Sequence, residues 1–354
     1  MLAPSSSAPT PACAPAPASS LADMRAIVQP AYGSTDVLRY ERVRCPAAAE
    51  GQVLVAVEAA SVCKGDVHLL TGKPYLIRLG FGLRRPKQRI PGQNMAGRVV
   101  AVGPAVTGLR VGDAVYGEVA GGAFAELVAA PAAALAPKPP ALSFAAAATV
   151  PVSAVTALQA LRDVGRVRAG DLVLINGASG GVGTFAVQIA KALGAEVTGI
   201  CSGRSAQLVR SLGADHVVDY TRQDVLALGR RYDVMLDLVG NRTQRDVGRL
   251  LAPDGVFIAS AGSPNEDGGG VWVGPLCWMA KVIVGGLVRR KWTMPFLAQP
   301  RRADLLELNP WLEAGTVRPV VEQEVALEDV PVALRHVARG HSQGTTAVRV
   351  GSVD

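Results

Sequence analysis

Residues 170–191 read GDLVLINGASGGVGTFAVQIAK, and this stretch decides the fold. The aliphatic run 172–175 ends in a glycine-rich segment, after which Phe185, Ile189 and Leu193 recur at the spacing of one helix face. The pattern predicts a buried strand, a tight turn and a helix. Such a turn lets the backbone approach a phosphate closely, and the helix N-terminus offers it unpaired N–H groups. The segment therefore predicts a site for the diphosphate of a dinucleotide.

A glycine-rich turn by itself is a weak signal, because such turns are common. Here it is followed by short apolar segments that alternate with helical stretches. These predicted strands cover residues 196–200, 215–219, 232–237 and 255–259. This alternation is typical of a doubly wound parallel sheet, which favours dinucleotide binding over an ordinary turn. The predicted diphosphate-binding residues are Gly177, Ala178, Ser179, Gly180, Gly181, Val182 and Gly183.

The end of the second predicted strand indicates which dinucleotide binds. A site for NAD usually has an acidic residue about 20 residues beyond the glycines, where its carboxylate accepts a hydrogen bond from the ribose. The sequence reads CSGRS at residues 201–205 and contains no acid there. Ser202 and Arg204 suit a 2′-phosphate, because a guanidinium binds phosphate through two donors. We therefore predict NADP(H) as the preferred cofactor, with NAD(H) as the alternative.

Composition is that of an ordinary globular protein. The 354 residues are 49% hydrophobic and 18% charged, which suffices for two domains with substantial cores. The net charge is +7, but the basic residues are scattered and not interleaved with aromatic residues, so we expect no nucleic-acid partner. The five cysteines are far apart and form no CxxC pair, which argues against a disulfide scaffold and a four-cysteine zinc site. Such cysteine usage favours a reducing, cytoplasmic location.

Two segments differ from the rest of the chain. Residues 1–23 are rich in proline, alanine and serine, so we predict a disordered extension that is not a secretory signal. Residues 271–288 are the candidate for a membrane span, but Pro275, Lys281 and three glycines interrupt them. We expect an internal helix beside a pocket or a subunit contact, and no membrane partner.

The part of the chain before the glycine turn has a different pattern. Short apolar runs at residues 24–28, 52–57, 97–102, 113–116 and 124–128 are separated by glycines and prolines, which predicts a strand-rich, barrel-like unit. The C-terminal part predicts an amphipathic helix over 303–313, a strand over 317–320, a further helix and a strand over 347–350. The predicted parts are the extension 1–23, a catalytic domain 24–145, a cofactor-binding domain 146–299, and a return to the first domain over 300–354.

The chain resembles the medium-chain dehydrogenases/reductases, and within them the zinc-independent quinone oxidoreductase (zeta-crystallin) branch and its reticulon-interacting relatives. The resemblance covers nearly all of residues 24–354. It is carried by Gly170-Asp171, Leu174, Ala178-Ser179, Gly180-Gly181, Gly183, Gln188 and Lys191. It implies an α/β fold, with a Rossmann doubly wound parallel sheet, a GroES-like strand-rich catalytic domain and an active site between them. It also implies a homodimer or homotetramer, and it places Tyr220 against the adenosine end of NADPH.

The positions of the zinc ligands argue against a metal site. Zinc-dependent members of the superfamily have a cysteine where Cys63 stands, a histidine–glutamate pair where this chain has Gln93 and Asn94, and a further ligand near Val152. A catalytic zinc ion needs three protein ligands and an open position, so one thiolate is insufficient. We therefore predict no zinc and expect catalysis to rely on positioning and hydrogen-bond donors.

Catalytic candidates lie in the segment CKGDVH at residues 63–68, which the resemblance places in the cleft. Many quinone reductases have asparagine at the position of Cys63 and tyrosine at that of His68, so the chain departs at both. His68 is the candidate proton donor, because imidazole titrates near neutral pH; a structural role is the alternative. Lys64 is a candidate phosphate contact or a solvated residue, Asp66 a candidate acid or helix cap, and Cys63 a candidate site residue or a small buried hydrophobe.

Three functions are open on these grounds. The first is zinc-independent, NADPH-dependent hydride transfer to a small quinone or α,β-unsaturated carbonyl compound. The second is an NAD(P)-dependent alcohol or aldehyde dehydrogenase with a proton relay through His68, and the third is a cofactor-binding protein with incidental redox activity. The basic loop 81–89 (FGLRRPKQR) either covers the cleft and meets an acidic or phosphorylated group, or is simply solvated.

Overall fold

The computed structural model describes residues 23–259, 296–340 and 342–351. Within these ranges the strands form a two-stranded, a five-stranded and a seven-stranded sheet. The predicted helix at 271–288 and, apart from Asp23, the predicted extension 1–23 lie outside the described residues. A search of the described helices for a stretch that could cross a bilayer finds none.

The first part of the chain is rich in strands. It contains the strands β1 (Asp23–Val28), β2 (Arg39–Arg44), β3 (Gln52–Val62), β4 (Asn94–Val102), β5 (Ala114–Glu118), β6 (Leu127–Pro131) and β7 (Leu135–Pro137), and the helices α1 (Lys64–Thr71) and α2 (Arg78–Phe81). The strands β1 and β2 pair as an antiparallel hairpin. The strand β3 is buried along most of its length because it pairs with both β4 and β6. Its valines suit this position, since β-branched side chains pack well on a pleated surface.

The second part alternates strands with helices. Its elements are α3 (Phe144–Ala148), α4 (Pro151–Leu158), β8 (Leu172–Asn176), α5 (Gly181–Ala192), β9 (Glu196–Cys201), α6 (Ala206–Ser211), β10 (His216–Asp219), β11 (Tyr232–Asp237), α7 (Gln244–Leu250) and β12 (Leu251–Ala259). The strands pair in parallel in the order β10-β9-β8-β11-β12. The strand order therefore reverses between β8 and β11, and a crevice opens there at the carboxyl ends of the strands.

The C-terminal part returns to the seven-stranded sheet. It contains α8 (Arg302–Glu313), β13 (Val321–Ala326), α9 (Val330–Ala338) and β14 (Thr345–Arg349). The strand β14 pairs antiparallel with β3, and β13 pairs in parallel with β14. The sheet order is β13-β14-β3-β4-β5-β7, with β6 on β3. The last residues of the chain thus lie beside strands formed nearly three hundred residues earlier.

The predicted fold class is confirmed: an α/β protein with a Rossmann parallel sheet and a GroES-like, strand-rich part. The helix after the glycine turn buries Phe185 and Ile189, and Leu193 is its C-cap. The predicted strand at 317–320 is wrong, because the strand is Val321–Ala326. Gln188 hydrogen-bonds both backbone groups of Arg318, at 2.8 and 2.9 Å, so that stretch is held by a helix side chain and not by a strand partner.

Candidate active site

The glycine turn lies at the point where the order of the parallel strands reverses. It directly follows β8 and leads into α5, as the motif requires. Gly177 has a φ of +88°, a conformation that costs other residues energy. A Cβ on Gly183 would lie 2.1 Å from the carbonyl oxygen of Gly177, so only glycine allows this approach of helix and turn. Ala178, within the turn, is buried and belongs to the main hydrophobic core.

The N-terminus of α5 is open to a ligand. Gly180 is the N-cap, and as a glycine it has no side chain that could accept hydrogen bonds from the N–H groups of the first helical turn. Its own Cβ position is open, since the nearest atom would be the carbonyl oxygen of Gly177 at 3.7 Å. Free N–H groups and the positive end of the helix dipole favour an anion here. The turn therefore fits a dinucleotide diphosphate, with Gly181, Val182 and Gly183 in the first helical turn.

Residues from the seven-stranded sheet reach the glycine turn. The backbone N–H of Gly344 donates to the carbonyl oxygen of Ser179 at 2.8 Å, and Gly180 and Gly344 form an isolated parallel bridge. A Cβ on Gly181 would lie 2.9 Å from the hydroxyl of Thr345 and 3.3 Å from that of Ser153. The site is thus assembled from both parts of the molecule, and the segment before β14 holds the turn in place.

A hydrogen-bond network joins the two strands at which the order reverses. Asn176 ends β8 and donates through Nδ2 to Asp237 Oδ1 at 2.8 Å and to Asn241 Oδ1 at 2.9 Å. The same Asp237 oxygen accepts the backbone N–H groups of Val239 and Gly240, at 3.0 and 2.9 Å. Asp237 is only 2% exposed, so these donors replace water for its carboxylate. The loop after β11 is thereby fixed over the glycine turn.

The predicted 2′-phosphate residues lie on one edge of the parallel sheet. Ser202 and Arg204 follow β9, and Tyr220 follows the neighbouring β10, with its backbone N–H donating to Cys201 O at 3.1 Å. Arg204 and Tyr220 are both exposed. An acid from the adjacent strand lies beneath this loop: Asp219 Oδ1 accepts the Thr221 hydroxyl at 2.7 Å and the Thr221 backbone N–H at 3.0 Å.

The loop before β14 also contacts this edge. Gln343 donates through Nε2 to the carbonyl oxygen of Arg204 at 3.3 Å and to the hydroxyl of Ser205 at 3.0 Å. The contact links the C-terminal part to the loop that we expect to bind the adenosine end of the cofactor. The loop that contains Arg204 is therefore also held by a residue from outside the parallel sheet.

Cys63 and Asp66 begin the helix α1 beside the cleft. Asp66 Oδ2 accepts the backbone N–H of Cys63 at 2.8 Å, so Asp66 makes the helix-capping contact. Burial raises the pKa of the Cys63 thiol well above its usual value, and the nearby Asp66 carboxylate raises it further. Burial also raises the pKa of Asp66 to about 6. At neutral pH the thiol is protonated, which suits a small packed side chain better than a nucleophile.

His68 and Lys64 lie on the same helix in different surroundings. The ring of His68 is half-buried, and its Nδ1 donates to the carbonyl oxygen of Lys73 at 3.0 Å. In the neutral ring this contact makes Nε2 an acceptor, so the ring donates a proton there only when it is cationic. Lys64 is exposed at the first helical position. The segment predicted to be catalytic thus contributes one oriented imidazole.

Glu118 is an acidic neighbour of this cluster that sequence reasoning missed. It ends β5, opposite Asn94 of β4. Burial raises the pKa of Glu118 to about 7, and the charge of Asp66 adds to the effect. The side chain of Gln93 packs against the same segment, since a Cβ on Gly65 would lie 3.0 Å from its Oε1 and 3.4 Å from Cys63 Sγ.

The residues at the family's zinc position do not fit a zinc ion. Cys63 supplies one thiol, Gln93 and Asn94 are amides, and Asn94 Oδ1 already accepts the backbone N–H of Val152 at 2.9 Å. Zinc prefers thiolate, imidazole and carboxylate ligands. In the ranges that the structure describes, no three His, Cys, Asp or Glu side chains are grouped as a metal site.

The raised pKa of Glu118 predicts a pH-dependent stability. Its pKa is higher in the folded than in the unfolded protein, so its stabilising effect is present below about pH 4.5 and is lost as the pH rises through 7. We expect Glu118→Gln to gain roughly 1–2 kcal/mol of stability relative to wild type between pH 5 and pH 8, after allowing for partial exposure. Urea unfolding at both pH values measures this difference. The exposed Glu50→Gln should show no such trend, and a trend of equal size there would refute the assignment.

Sequence reasoning missed the polar residues that complete the site. Asn176 and Asp237 each end a central strand, and that position was a usable signal, because ligands bind at the carboxyl ends of such strands. Gln343, Gly344 and Thr345 gave no such signal. They reach the site only because β14 pairs with β3.

Comparisons with known proteins agree with this architecture. The alcohol dehydrogenase GroES-like domain matches residues 49–140, and the zinc-binding dehydrogenase family matches residues 212–348. The chain therefore belongs to the medium-chain dehydrogenase/reductase superfamily, as the resemblance indicated. Within it, the chain lies in the quinone oxidoreductase-like branch and is an NAD(P)H-dependent oxidoreductase.

Three relatives support this placement. The chain is 33% identical to NAD(P)H oxidoreductase RTN4IP1, mitochondrial, of Mus musculus, over 92% of this chain and 90% of that protein. It is 31% identical to NADPH-dependent alkenal/one oxidoreductase, chloroplastic, of Arabidopsis thaliana, over 92% of this chain and 79% of that protein. The solved quinone oxidoreductase from Coxiella burnetii is similar with a TM-score of 0.79 and 27% identity, and the match covers 93% of this chain and 99% of that one.

Proposed function

We propose that the protein reduces quinones or α,β-unsaturated carbonyl compounds with NADPH and without zinc. The observation that carries this proposal is that the residues at the family's zinc position lie next to the glycine turn. Asn94 Oδ1 accepts the backbone N–H of Val152 at 2.9 Å, and the neighbouring Ser153 hydroxyl would lie 3.3 Å from a Cβ on Gly181. The zinc position itself holds one thiol and two amides, Cys63, Gln93 and Asn94. The relatives named as quinone and alkenal/one oxidoreductases support the same substrate class.

NADPH, when bound, would supply a hydride to the electrophilic carbon of the acceptor. A proton is then needed at the α carbon of an enone or at the oxygens of a quinone, and the residues of this chain must deliver it or admit water. In this chain the turn from Gly177 to Gly183 binds and orients the diphosphate, and the loop fixed by Asp237 covers it. Burial raises the pKa of Glu118 to about 7, so this group is partly protonated at neutral pH, and it raises the pKa of Asp66 to about 6, so that group is protonated mainly below pH 6. The imidazole of His68 is the third candidate donor. The proton comes from one of these groups or from water.

A substrate panel tests the proposal. We expect the purified protein to oxidise NADPH with a quinone and with an enone faster than with a simple aldehyde, and to do so equally well in the presence of a chelator. Faster turnover of the aldehyde would favour an alcohol or aldehyde dehydrogenase with the His68 relay. Binding of NADPH without turnover of any acceptor would leave a cofactor-binding protein. One zinc per chain, lost together with activity on chelation, would refute the zinc-free mechanism.

The preference for NADP(H) rests on Ser202, Arg204 and Tyr220. We expect Arg204→Ala to weaken NADPH binding about 10- to 50-fold, because a charge-assisted contact to the 2′-phosphate is lost. NADH binding should stay within about twofold, since NADH has no such phosphate. Calorimetric titration with both nucleotides measures the effect, and Arg168→Ala, another exposed arginine, is the matched control. Unchanged NADPH binding would contradict the assignment.

We further propose a homodimer or homotetramer in the cytoplasm that acts on a small molecule. The family resemblance supports the assembly, and the separated cysteines support a reducing compartment. Light scattering coupled to size-exclusion chromatography measures the assembly, and a monomer at micromolar concentration would contradict it.

A further inference from the structure

A second cavity lies in the catalytic part of the molecule, beside α1 and α2. We call it the α1–α2 pocket and define it by Tyr32, Leu69, Gly80, Phe81, Lys87 and Gln93. Its volume is about 190 Å³. At about 30 Å³ for each water-sized group, this holds a chain or ring of roughly six heavy atoms. None of its lining residues belongs to the glycine turn, so the pocket is separate from the cofactor site.

The pocket begins where the candidate catalytic segment ends. Gln93 lines it and at the same time packs against Gly65, close to the thiol of Cys63. Leu69, the residue after His68, lines it from the helix. Gln93 therefore borders both the segment 63–68 and the pocket, so a group bound beside that segment lies next to the pocket.

The wall formed by α2 is held in place by specific contacts. The guanidinium of Arg78 lies 4.4 Å from the ring centres of both Tyr32 and Tyr75. Its Nε donates to the carbonyl oxygen of Gly72 at 3.0 Å, and the Tyr32 hydroxyl donates to the carbonyl oxygen of Gly82 at 2.7 Å. These contacts tie α2 to the end of α1. The pocket is therefore preformed, which lowers the entropic cost of binding.

The surface around the pocket is both apolar and basic. Phe81 lines the pocket and is exposed, and Leu79 and Leu83, two residues away on either side, are exposed as well, with relative accessibilities of 43%, 67% and 66%. Lys87 is an exposed lining residue from the basic loop 81–89. The sequence contains no Asp or Glu between Val67 and Gly112, so no acid of this long stretch neutralises the lysine. The charge therefore complements an anion next to an apolar group.

We propose that the α1–α2 pocket binds the apolar substituent of the acceptor, and that Lys87 binds a carboxylate or phosphate at its far end. The substrate class is then an amphiphilic enone or quinone, with an apolar chain or ring between the reducible group and an anion. The inference rests on the proposed function, since it places the tail of the same acceptor. In this proposal the basic loop 81–89 contributes Lys87, and its ligand is the carboxylate or phosphate of the acceptor.

A series of 2-alkenals tests the apolar part. We expect kcat/KM to rise about threefold with each added methylene from four to nine carbons, because each methylene leaves water for the pocket. Gly80→Leu should abolish this rise and leave the four-carbon substrate within about twofold. A Cβ at Gly80 meets no atom within 4 Å, and leucine favours a helix more than glycine does, so the variant should fold. Ala133→Leu, another exposed small residue, is the control and should keep the rise.

The anionic part is tested with a nine-carbon enal that ends in a carboxylate, compared with its methyl ester. We expect wild type to prefer the carboxylate about tenfold in kcat/KM, and Lys87→Met to lose this preference. Arg85→Met removes a charge from the same loop at a residue that does not line the pocket, and it should keep most of the preference.

The outcomes separate this inference from the proposed function. If no enone or quinone is reduced, the proposed function fails first. If short and long enals are reduced equally, or if Gly80→Leu keeps the chain-length dependence, the pocket is not the tail site although the reductase activity stands. A carboxylate preference that survives Lys87→Met would overturn the role of that lysine alone. A dependence on chain length that appears only with phospholipid vesicles would indicate that the apolar rim binds a membrane surface instead.

Discussion

A Gly183→Ala variant is expected to lose NADPH binding by at least about 100-fold and to be less stable than wild type. The added methyl group would lie 2.1 Å from the carbonyl oxygen of Gly177 and 2.8 Å from the backbone of Ala178. Backbone atoms cannot move aside as a side-chain end can, so the helix must shift away from the turn. Overpacking of this kind costs roughly 1–3 kcal/mol, and the shift also displaces the N–H groups that would face the diphosphate.

Gly180→Ala is the matched variant for this prediction. Its methyl group would lie no closer than 3.7 Å to another atom of the chain, and Gly180 has a φ of −77°, which alanine adopts freely. We expect the free energy of unfolding of this variant to lie within about 0.5 kcal/mol of the wild-type value, a cost comparable to the loss of a glycine N-cap. It should still bind NADPH at least about tenfold more weakly, because the methyl group occupies the space that a diphosphate needs.

Urea unfolding and calorimetric titration with NADPH measure the two variants together. The turn is identified as the diphosphate site only if Gly180→Ala weakens NADPH binding while the free energy of unfolding stays near the wild-type value. Normal NADPH affinity in the Gly180→Ala protein would show that the diphosphate does not pass over this residue. A stable Gly183→Ala protein with normal affinity would show that helix and turn need not approach so closely.

Asp237→Ala is expected to lower the free energy of unfolding by about 3 kcal/mol. The substitution leaves the side-chain amide of Asn176 and the backbone N–H groups of Val239 and Gly240 without their shared acceptor. Each buried donor that loses its partner costs about 1–3 kcal/mol, unless water reaches it. The loop over the glycine turn is released at the same time, so NADPH binding should weaken more than tenfold.

Asp246→Ala is the control for this effect. Asp246 is also a carboxylate that accepts hydrogen bonds, from Thr243 at the start of α7, but its site is exposed and lies outside the cleft. The expected loss is about 1 kcal/mol, as for other helix caps, with unchanged NADPH affinity. Urea unfolding at neutral pH and calorimetric titration compare the two variants. Equal losses in both would contradict the special role of the Asp237 network.

The predicted cofactor site divides into a local and a non-local part. Gly177 to Gly183 form one continuous turn, so their arrangement depends on neighbouring residues alone and could be predicted from the spacing. Ser202 and Tyr220 follow two different strands, β9 and β10, yet they lie on one edge because parallel strands bring their carboxyl ends together. Gln343 reaches the same edge from the C-terminal part, and no local pattern marks it.

In and around the segment 63–68, residue type alone does not determine which side chain can act as an acid. The sequence identified His68 as the candidate acid from its side chain, but the contact of Nδ1 with the carbonyl oxygen of Lys73 decides which nitrogen can accept a proton. No local pattern marks Glu118, because an acid at the end of a strand is usually solvated. Burial raises its pKa and the charge of Asp66 adds to the effect, and these surroundings exist only in the folded protein.

The sequence by itself predicted the parallel sheet and the diphosphate turn, because apolar runs, a glycine-rich turn and an amphipathic helix follow one another along the chain. The positions of the zinc ligands came from the resemblance to the family, which places Cys63, Gln93 and Asn94 there. Tertiary structure alone decided what surrounds the turn: the Asn176–Asp237 network, the contact of Gly344 with Ser179, and the α1–α2 pocket behind Gln93. The first two of these features join residues that lie about 60 and 165 positions apart. Strand pairing brings such residues together, and the physical reason is that hydrogen bonds and packing act over a few ångströms in space, whatever the distance along the chain.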